Sequence, residues 1–165
     1  MLNEFLKIGF IIINTYFFST FMGYSVHKML HRRWAGFMNR AHMTHHLIKY
    51  PPYHLTSDEY RGAGKDNTLF LFAPIILAVL LIIVVMCGLG WISLFHSIFI
   101  SLEILTISII HEYIHTSFHL HKTIWKYVPG YSKMRELHFK HHYNMKKNFG
   151  IVDFSWDRLF KTIKD

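Results

Sequence analysis

Three long apolar runs divide the chain, and its polar residues gather between and after them. The first runs from Leu6 to Val26 and is charged only at Lys7. The second, Leu69 to Gly90, holds twenty-two residues without a charge. A Gly88-Leu89-Gly90 break follows, and the third run, Trp91 to Ile110, is polar only at His96, Glu103 and a few hydroxyls. A helix needs about 20 apolar residues to cross a hydrocarbon layer of about 30 Å, and each run is long enough. The pattern predicts an all-α integral membrane protein of about three transmembrane helices, near 6–26, 69–90 and 91–110. Its order is a span, a basic segment, a tight two-span hairpin and a basic tail that completes a helical cap. The first run lacks a basic leader and a small-residue cleavage site, so it reads as an anchor rather than a signal peptide. Met1 to Phe5 reads as a short tail.

The polar segments carry turn signals of their own. One helix running unbroken from His27 to His46 would hold its two ends about 20 Å or more apart. A turn is therefore expected between them, with Ala35-Gly36-Phe37-Met38-Asn39 the most permissive stretch. Pro129-Gly130 marks a second turn, ahead of His138. Residues 47–68, with Pro51-Pro52 and Gly62-Ala63-Gly64, read as irregular loop. At 165 residues the chain reads as a single domain, 1–165.

Composition and charge refine this picture. Apolar residues make up 52% and aromatic ones 17%, too much for an ordinary soluble domain that lacks a cysteine framework. The single cysteine, Cys87, excludes a disulfide scaffold and any cysteine-based zinc site. A net charge of +8 would suit nucleic acid or an anionic membrane surface, and the apolar runs decide for the membrane. Seven of the 18 Lys and Arg residues fall between His27 and Thr68 and ten between His111 and Asp165, with none at the hairpin turn. The positive-inside rule then puts both basic segments in the cytoplasm and the N-terminus outside.

Those same two segments hold the candidate chemistry. Ten of the 14 histidines fall in four groups: His27/His31, His42/His45/His46, His111/His115 and His138/His141/His142. Spacings of three and four residues put each group on one helix face. Two spans separate the first pair of groups from the second pair, and two spans return a chain to its starting side. Imidazole suits iron, zinc, copper and nickel, and ten such groups exceed the four ligands of one zinc. A two-metal site with four or five nitrogens per metal fits the count. His54, His96 and His121 read as structural. His119 continues the His111/His115 face, equally an extra ligand or a supporting residue. Glu103 lies inside the third span, where a carboxylate is either functional or a helix-packing hydrogen-bond partner.

A rival reading is literal. His111-Glu112-Tyr113-Ile114-His115 matches the zinc-protease signature, with Glu112 as general base and His121 where an extended form of the motif places its third ligand. Phe118 stands where that form needs glycine, and eight of the ten grouped histidines would be idle. Haem held between transmembrane histidines is weaker again, because the spans contain only His96.

The order His-x-x-x-His, His-x-x-His-His, two-span hairpin, His-x-x-x-His, His-x-x-His-His resembles the fatty acid hydroxylase superfamily. That group of membrane di-iron oxygenases includes sterol desaturases, fatty acid hydroxylases and carotenoid hydroxylases. The tail adds to the likeness: Asn148-Phe149-Gly150, then Trp156-Asp157-Arg158-Leu159-Phe160-Lys161-Thr162, is similar to the family's ending, with Lys161 where glycine is usual. The resemblance implies that His27, His31, His42, His45, His46, His111, His115, His138, His141 and His142 hold two iron ions, which zinc can replace in purified protein. It implies dioxygen as co-substrate and a membrane lipid as the molecule hydroxylated or desaturated. Electrons would come from a separate carrier, a small haem or iron–sulfur protein with its reductase, and nucleic acid has no part. Glu112 would be an acid supporting the ligands.

Overall fold

The computed structural model describes residues 2–62 and 68–164, so the Ala63-Gly64 part of the expected loop lies outside the described residues. Helix α1 runs Leu2–Leu30, which makes residues 2–5 its first turn rather than a free tail. It stops at Leu30, ahead of the Ala35–Asn39 stretch where the turn was expected, and the turn itself reaches into that stretch. A 3₁₀ turn at Arg33–Ala35 leads into Gly36, whose φ of +61° is a left-handed conformation that favours glycine. The Asn39 side-chain amide donates to the Leu30 carbonyl at 2.6 Å and so covers one of the carbonyls the helix end leaves open. Helix α2, Phe37–Thr44, passes straight into a π-helical turn at His45–Lys49. The irregular loop therefore begins at Tyr50 rather than at Leu47.

Two long helices follow. Helix α3 spans Thr68–Gly88 and α4 spans Leu94–Phe118, with the Ser93 hydroxyl accepting the His96 N–H to cap the start of α4. Helix α4 runs eight residues beyond the apolar stretch, so His111 and His115 ride on a transmembrane helix rather than on a separate one. Helix α5, Tyr131–Tyr143, starts just after Gly130, and α6, Ser155–Leu159, closes the chain. No β-strand occurs among the described residues; Ser57 and Leu120 form an isolated bridge that ties the loop to the end of α4.

Helices α1, α3 and α4 are each long and apolar enough to cross a membrane. Each buries only 11% of its most apolar window inside the protein. Such large exposed apolar surfaces are stable in lipid and not in water. Both α1 and α3 pack on α4. Most of the buried apolar residues lie at the end where the histidines are. Val26, Leu30 and Leu71 form one cluster there, and Ile114, Phe118, Tyr131 and Ile151 form another. The C-terminal tail straps this end to α1. The Trp156 indole donates to the Thr20 hydroxyl at 3.0 Å and its ring lies against Phe21, while Phe160 stacks on Tyr24.

Candidate metal centre

The histidines converge into two sets. In the first, ligating nitrogens of His27, His31, His42, His46 and His141 all lie within 4.8 Å of one another. In the second, His45, His119, His138 and His142 do the same. The sets abut, with the His46 and His142 rings 4.1 Å apart between centroids. Each His-x-x-His-His stretch divides between them. His42 on α2 and His46 on the π-helical turn that follows it face the first set, and His45 faces the second. On α5, His138 and His142 face the second set and His141 crosses to the first. Helix α1 supplies His27 and His31 to the first set, and the end of α4 supplies His119 to the second.

The nitrogen spacings are those of ligands. His31 Nε2 lies 3.0 Å from the Nε2 atoms of both His42 and His141, and His42 Nε2 lies 3.1 Å from that of His46. In the second set His138 Nε2 lies 3.0 Å from His119 Nε2 and 3.2 Å from His142 Nε2. Two imidazole nitrogens bound to one metal at about 2.05 Å stand about 2.9 Å apart at a right angle and about 3.4 Å apart at the tetrahedral angle.

Backbone carbonyls fix which nitrogen is free. His27 Nδ1 donates to the Phe149 carbonyl at 2.7 Å, and His141 Nδ1 to the Lys147 carbonyl at 2.6 Å. His119 Nδ1 donates to the Leu55 carbonyl and His142 Nδ1 to the Tyr50 carbonyl, both at 2.8 Å. A neutral ring with its proton on Nδ1 presents a lone pair at Nε2. In the second set, the lone pairs of His119 and His142 thus both face His138 Nε2, whose single hydrogen could satisfy only one. His27 Nε2 and both nitrogens of His45 are buried without a hydrogen-bond partner. Convergent lone pairs and unpartnered buried nitrogens are what a metal ion satisfies, so the donor set fits two ions.

The two sets are oriented by different pieces of chain. The 147–150 loop holds the first, and Asp157 holds that loop: its carboxylate accepts the Phe149 N–H at 2.8 Å, the Gly150 N–H at 2.7 Å and the Thr162 hydroxyl at 2.7 Å. A Cβ at Gly150 would lie 2.3 Å from the Asp153 carbonyl oxygen, so this close turn admits glycine alone. The 50–57 loop holds the second set. The buried Tyr50 hydroxyl lies 3.3 Å from Ser57 Oγ and accepts the Arg61 N–H at 2.6 Å. Arg135 on α5 donates to the Phe118 and Leu120 carbonyls and so caps the end of α4 beside His119.

Burial keeps these imidazoles neutral and ready to bind a cation. It pushes His31 down to about 2, helped by the neighbouring His27, His142 and Arg32, and His142 down to about 3. Burial, with other histidines close by, also holds His42, His45, His46, His138 and His141 well below the usual range.

Eight of the ten expected residues stand in these sets. His115 borders the second one, its ring 4.9 Å from His45 and 4.8 Å from His138 between centroids, without sharing the common point. His111 stands apart from both sets. One turn earlier on α4, it faces Phe72 and Gly23 because α1 packs there. His119 takes the place beside His138 instead. The pair at matching spacing is thus His115/His119, a register that overlaps His111/His115 in sequence. Glu112 accepts a hydrogen bond from Thr116 at 3.2 Å and borders the cleft described next. The protease reading loses its geometry, because His111 and His115 face different neighbours and His121 sits at the surface beside Asp58.

An apolar cleft, part of it open to the surroundings, lies between α1, α3 and α4. Phe18, Met22, Phe72, Ile76 and Ile104 are among its walls, and it ends at His111 and Glu112. On the other side of the site, Lys28, Arg32 and Lys146 surround an opening to the half-buried His31.

Three apolar helices that carry two buried histidine sets at one end define an all-α membrane protein with a centre able to hold metal. The chain belongs to the fatty acid hydroxylase family, whose model matches residues 12–162. Membership implies an oxidoreductase of the membrane hydroxylase or desaturase kind with a histidine-rich metal site. Comparison with curated proteins and with solved structures gives no significant match.

Proposed function

We propose that the protein is a di-iron lipid oxygenase that hydroxylates or desaturates a membrane lipid with dioxygen, in lipid biosynthesis or modification. The observation that carries this reading is the placement of nine neutral imidazoles, in two abutting sets, at the same end of the spans as His111 and Glu112, which line an apolar cleft. Residues His27, His31, His42, His46 and His141 would hold one iron, and His45, His119, His138 and His142 the other, with His115 beside the second. Bound there, the iron pair would supply dioxygen activation and removal of hydrogen from an unactivated C–H bond.

The chain's own residues do the rest. The cleft walls admit the lipid tail from the bilayer and exclude water. The carbonyls of Tyr50, Leu55, Lys147 and Phe149 hold four imidazoles in the tautomer that points Nε2 inward. Electrons would come from a separate small haem or iron–sulfur carrier. Lys28, Arg32 and Lys146, around the opening to His31, would attract an acidic one. The charge asymmetry supports a cytoplasmic position for this end.

The test is to load the purified protein with iron in lipid nanodiscs and to supply an electron donor and dioxygen. The product lipids are then compared by mass spectrometry with those of a His45→Ala, His141→Ala variant. Gain of one oxygen atom or loss of two hydrogens, dependent on dioxygen and absent in the variant, is the outcome we expect. No new product from a total membrane lipid extract would refute it.

A further inference from the structure

Helix α2 and the π-helical turn after it carry histidines on one face only. Met38, His42, His45 and His46 turn inward, whereas Phe37, Arg40, Leu47 and Ile48 turn outward. The outer face is strongly apolar: Phe37 is 59% exposed, Leu47 54% and Ile48 73%. Trp34, just ahead of Gly36, is 74% exposed. The Thr44 hydroxyl does not make this stripe polar, because it is turned back onto the Arg40 carbonyl at 3.0 Å. Large apolar side chains left open together mark an interaction surface.

Packing sets the level at which this face lies. Met38 and Ala41 pack on the cluster of Val26, Leu30 and Leu71, which Phe72 and Ile75 of α3 join. Val26 to Leu30 form the end of α1, and Leu71 belongs to the first turn of α3. Helix α2 is therefore pressed against the ends of two spans, at the level where hydrocarbon gives way to headgroups. Its charge suits that layer. Arg33 and Arg40 are exposed, and no acidic residue occurs between Glu4 and Asp58. An apolar stripe with basic residues and a tryptophan beside it is the pattern of a helix lying in a membrane surface.

We propose that this face lies in the headgroup layer of the membrane the spans cross, as an in-plane anchor selective for anionic lipid. Trp34, Phe37, Leu47 and Ile48 dip to the acyl boundary, and Arg33 and Arg40 pair with lipid phosphate groups. The consequence reaches the metal-binding centre, because the same short stretch carries His42 and His46 to the first set and His45 to the second. Lipid on one face steadies the ligands on the other. The inference holds for any metal the sets bind and does not rest on the oxygenase reading.

The test uses the full chain, metal-loaded, in nanodiscs of mixed phosphatidylcholine and phosphatidylglycerol. In a Cys87→Ser background, Phe37→Cys, Ile48→Cys, Leu81→Cys and Glu136→Cys each carry one nitroxide. Leu81 faces outward from α3 and serves as the lipid reference, and the exposed Glu136 on α5 as the aqueous one. We expect collision rates with dioxygen and with a water-soluble nickel chelate to place labels 37 and 48 between the two references. Labels as wet as that at Glu136, or coupled to a label on a second copy, would overturn the anchor. Metal release to a competing chelator reads the consequence. Phe37→Glu with Ile48→Glu should release both metals at roughly tenfold lower chelator concentration, and Phe37→Leu with Ile48→Leu should not. Unchanged release in the glutamate variant refutes the link to the ligands. Phosphatidylcholine alone should lower the chelator concentration needed roughly fivefold, a difference that Arg33→Gln with Arg40→Gln abolishes. No such difference, or one that persists in the arginine variant, refutes the selectivity for anionic lipid.

Discussion

Asp157→Asn removes no histidine, yet it should loosen one metal and spare the other. The carboxylate accepts two backbone N–H groups, those of Phe149 and Gly150, and the Thr162 hydroxyl. Burial pushes its carboxyl up from the usual range, and those donors, with Lys28 nearby, offset only part of that rise. An asparagine offers one acceptor oxygen, and its amide N–H₂ must then face a donor. At least one backbone N–H loses its acceptor, a loss of about 1–3 kcal/mol. Taken at about 2 kcal/mol, this corresponds to a factor of roughly 30. The strain falls on the loop whose Phe149 and Lys147 carbonyls orient His27 and His141, and both of those belong to the first set. Residues that orient metal ligands commonly carry 10–100-fold of metal affinity, the same range. The assay is release of metal to a competing chelator from protein loaded with two equivalents. One equivalent should leave at roughly 30-fold lower chelator concentration than in the unmodified protein, and the other should not move. Release of both together with helix content unchanged, or of neither, would refute the link from Asp157 through the loop to the first set.

Elemental analysis should find two metals per chain, falling to one in His119→Ala and staying at two in His111→Phe; the reverse pattern would restore His111 as a ligand. In a Cys87→Ser background, single cysteines at Tyr53 and Lys164 should react with an impermeant reagent from the same side of the membrane and one at Trp91 from the other; labelling of Tyr53 and Lys164 from opposite faces would refute the three-span topology. Acid should unfold the metal-free cap. In the fold His31 and His142 take up protons only near 2 and 3, against about 6.5 when unfolded, so the unfolded state binds protons first as the pH drops. Their stabilisation is complete above pH 6.5 and declines below it by about 1.4 kcal/mol per pH unit for each residue. Thermal unfolding of chelator-treated protein that is unchanged between pH 7.5 and 5.5 would contradict this.

Much of the architecture is local and therefore legible in the chain. Apolar runs of membrane-spanning length, the break at Gly36 and the glycines that end α3 each act through a few adjacent residues, and the helices follow them. Helical periodicity likewise puts His42 with His46 and His138 with His142. Periodicity states that residues share a face and is silent on what that face meets. His111, His115 and His119 offer two overlapping pairs at one spacing, and the close packing of α1 on α4 at Gly23 turns His111 towards the cleft. The π-helical turn at His45–Lys49, which lies next to the point where His45 and His46 part towards different sets, has no marker in the residues themselves. The carbonyls of Tyr50, Leu55, Lys147 and Phe149 carry no sequence signal either, because every residue has one. They become part of the site only when loops distant in sequence fold against the imidazoles. The residue types and helix faces of the centre follow from short-range chemistry, whereas its division into two sets and the tautomers of its rings follow from long-range contacts alone.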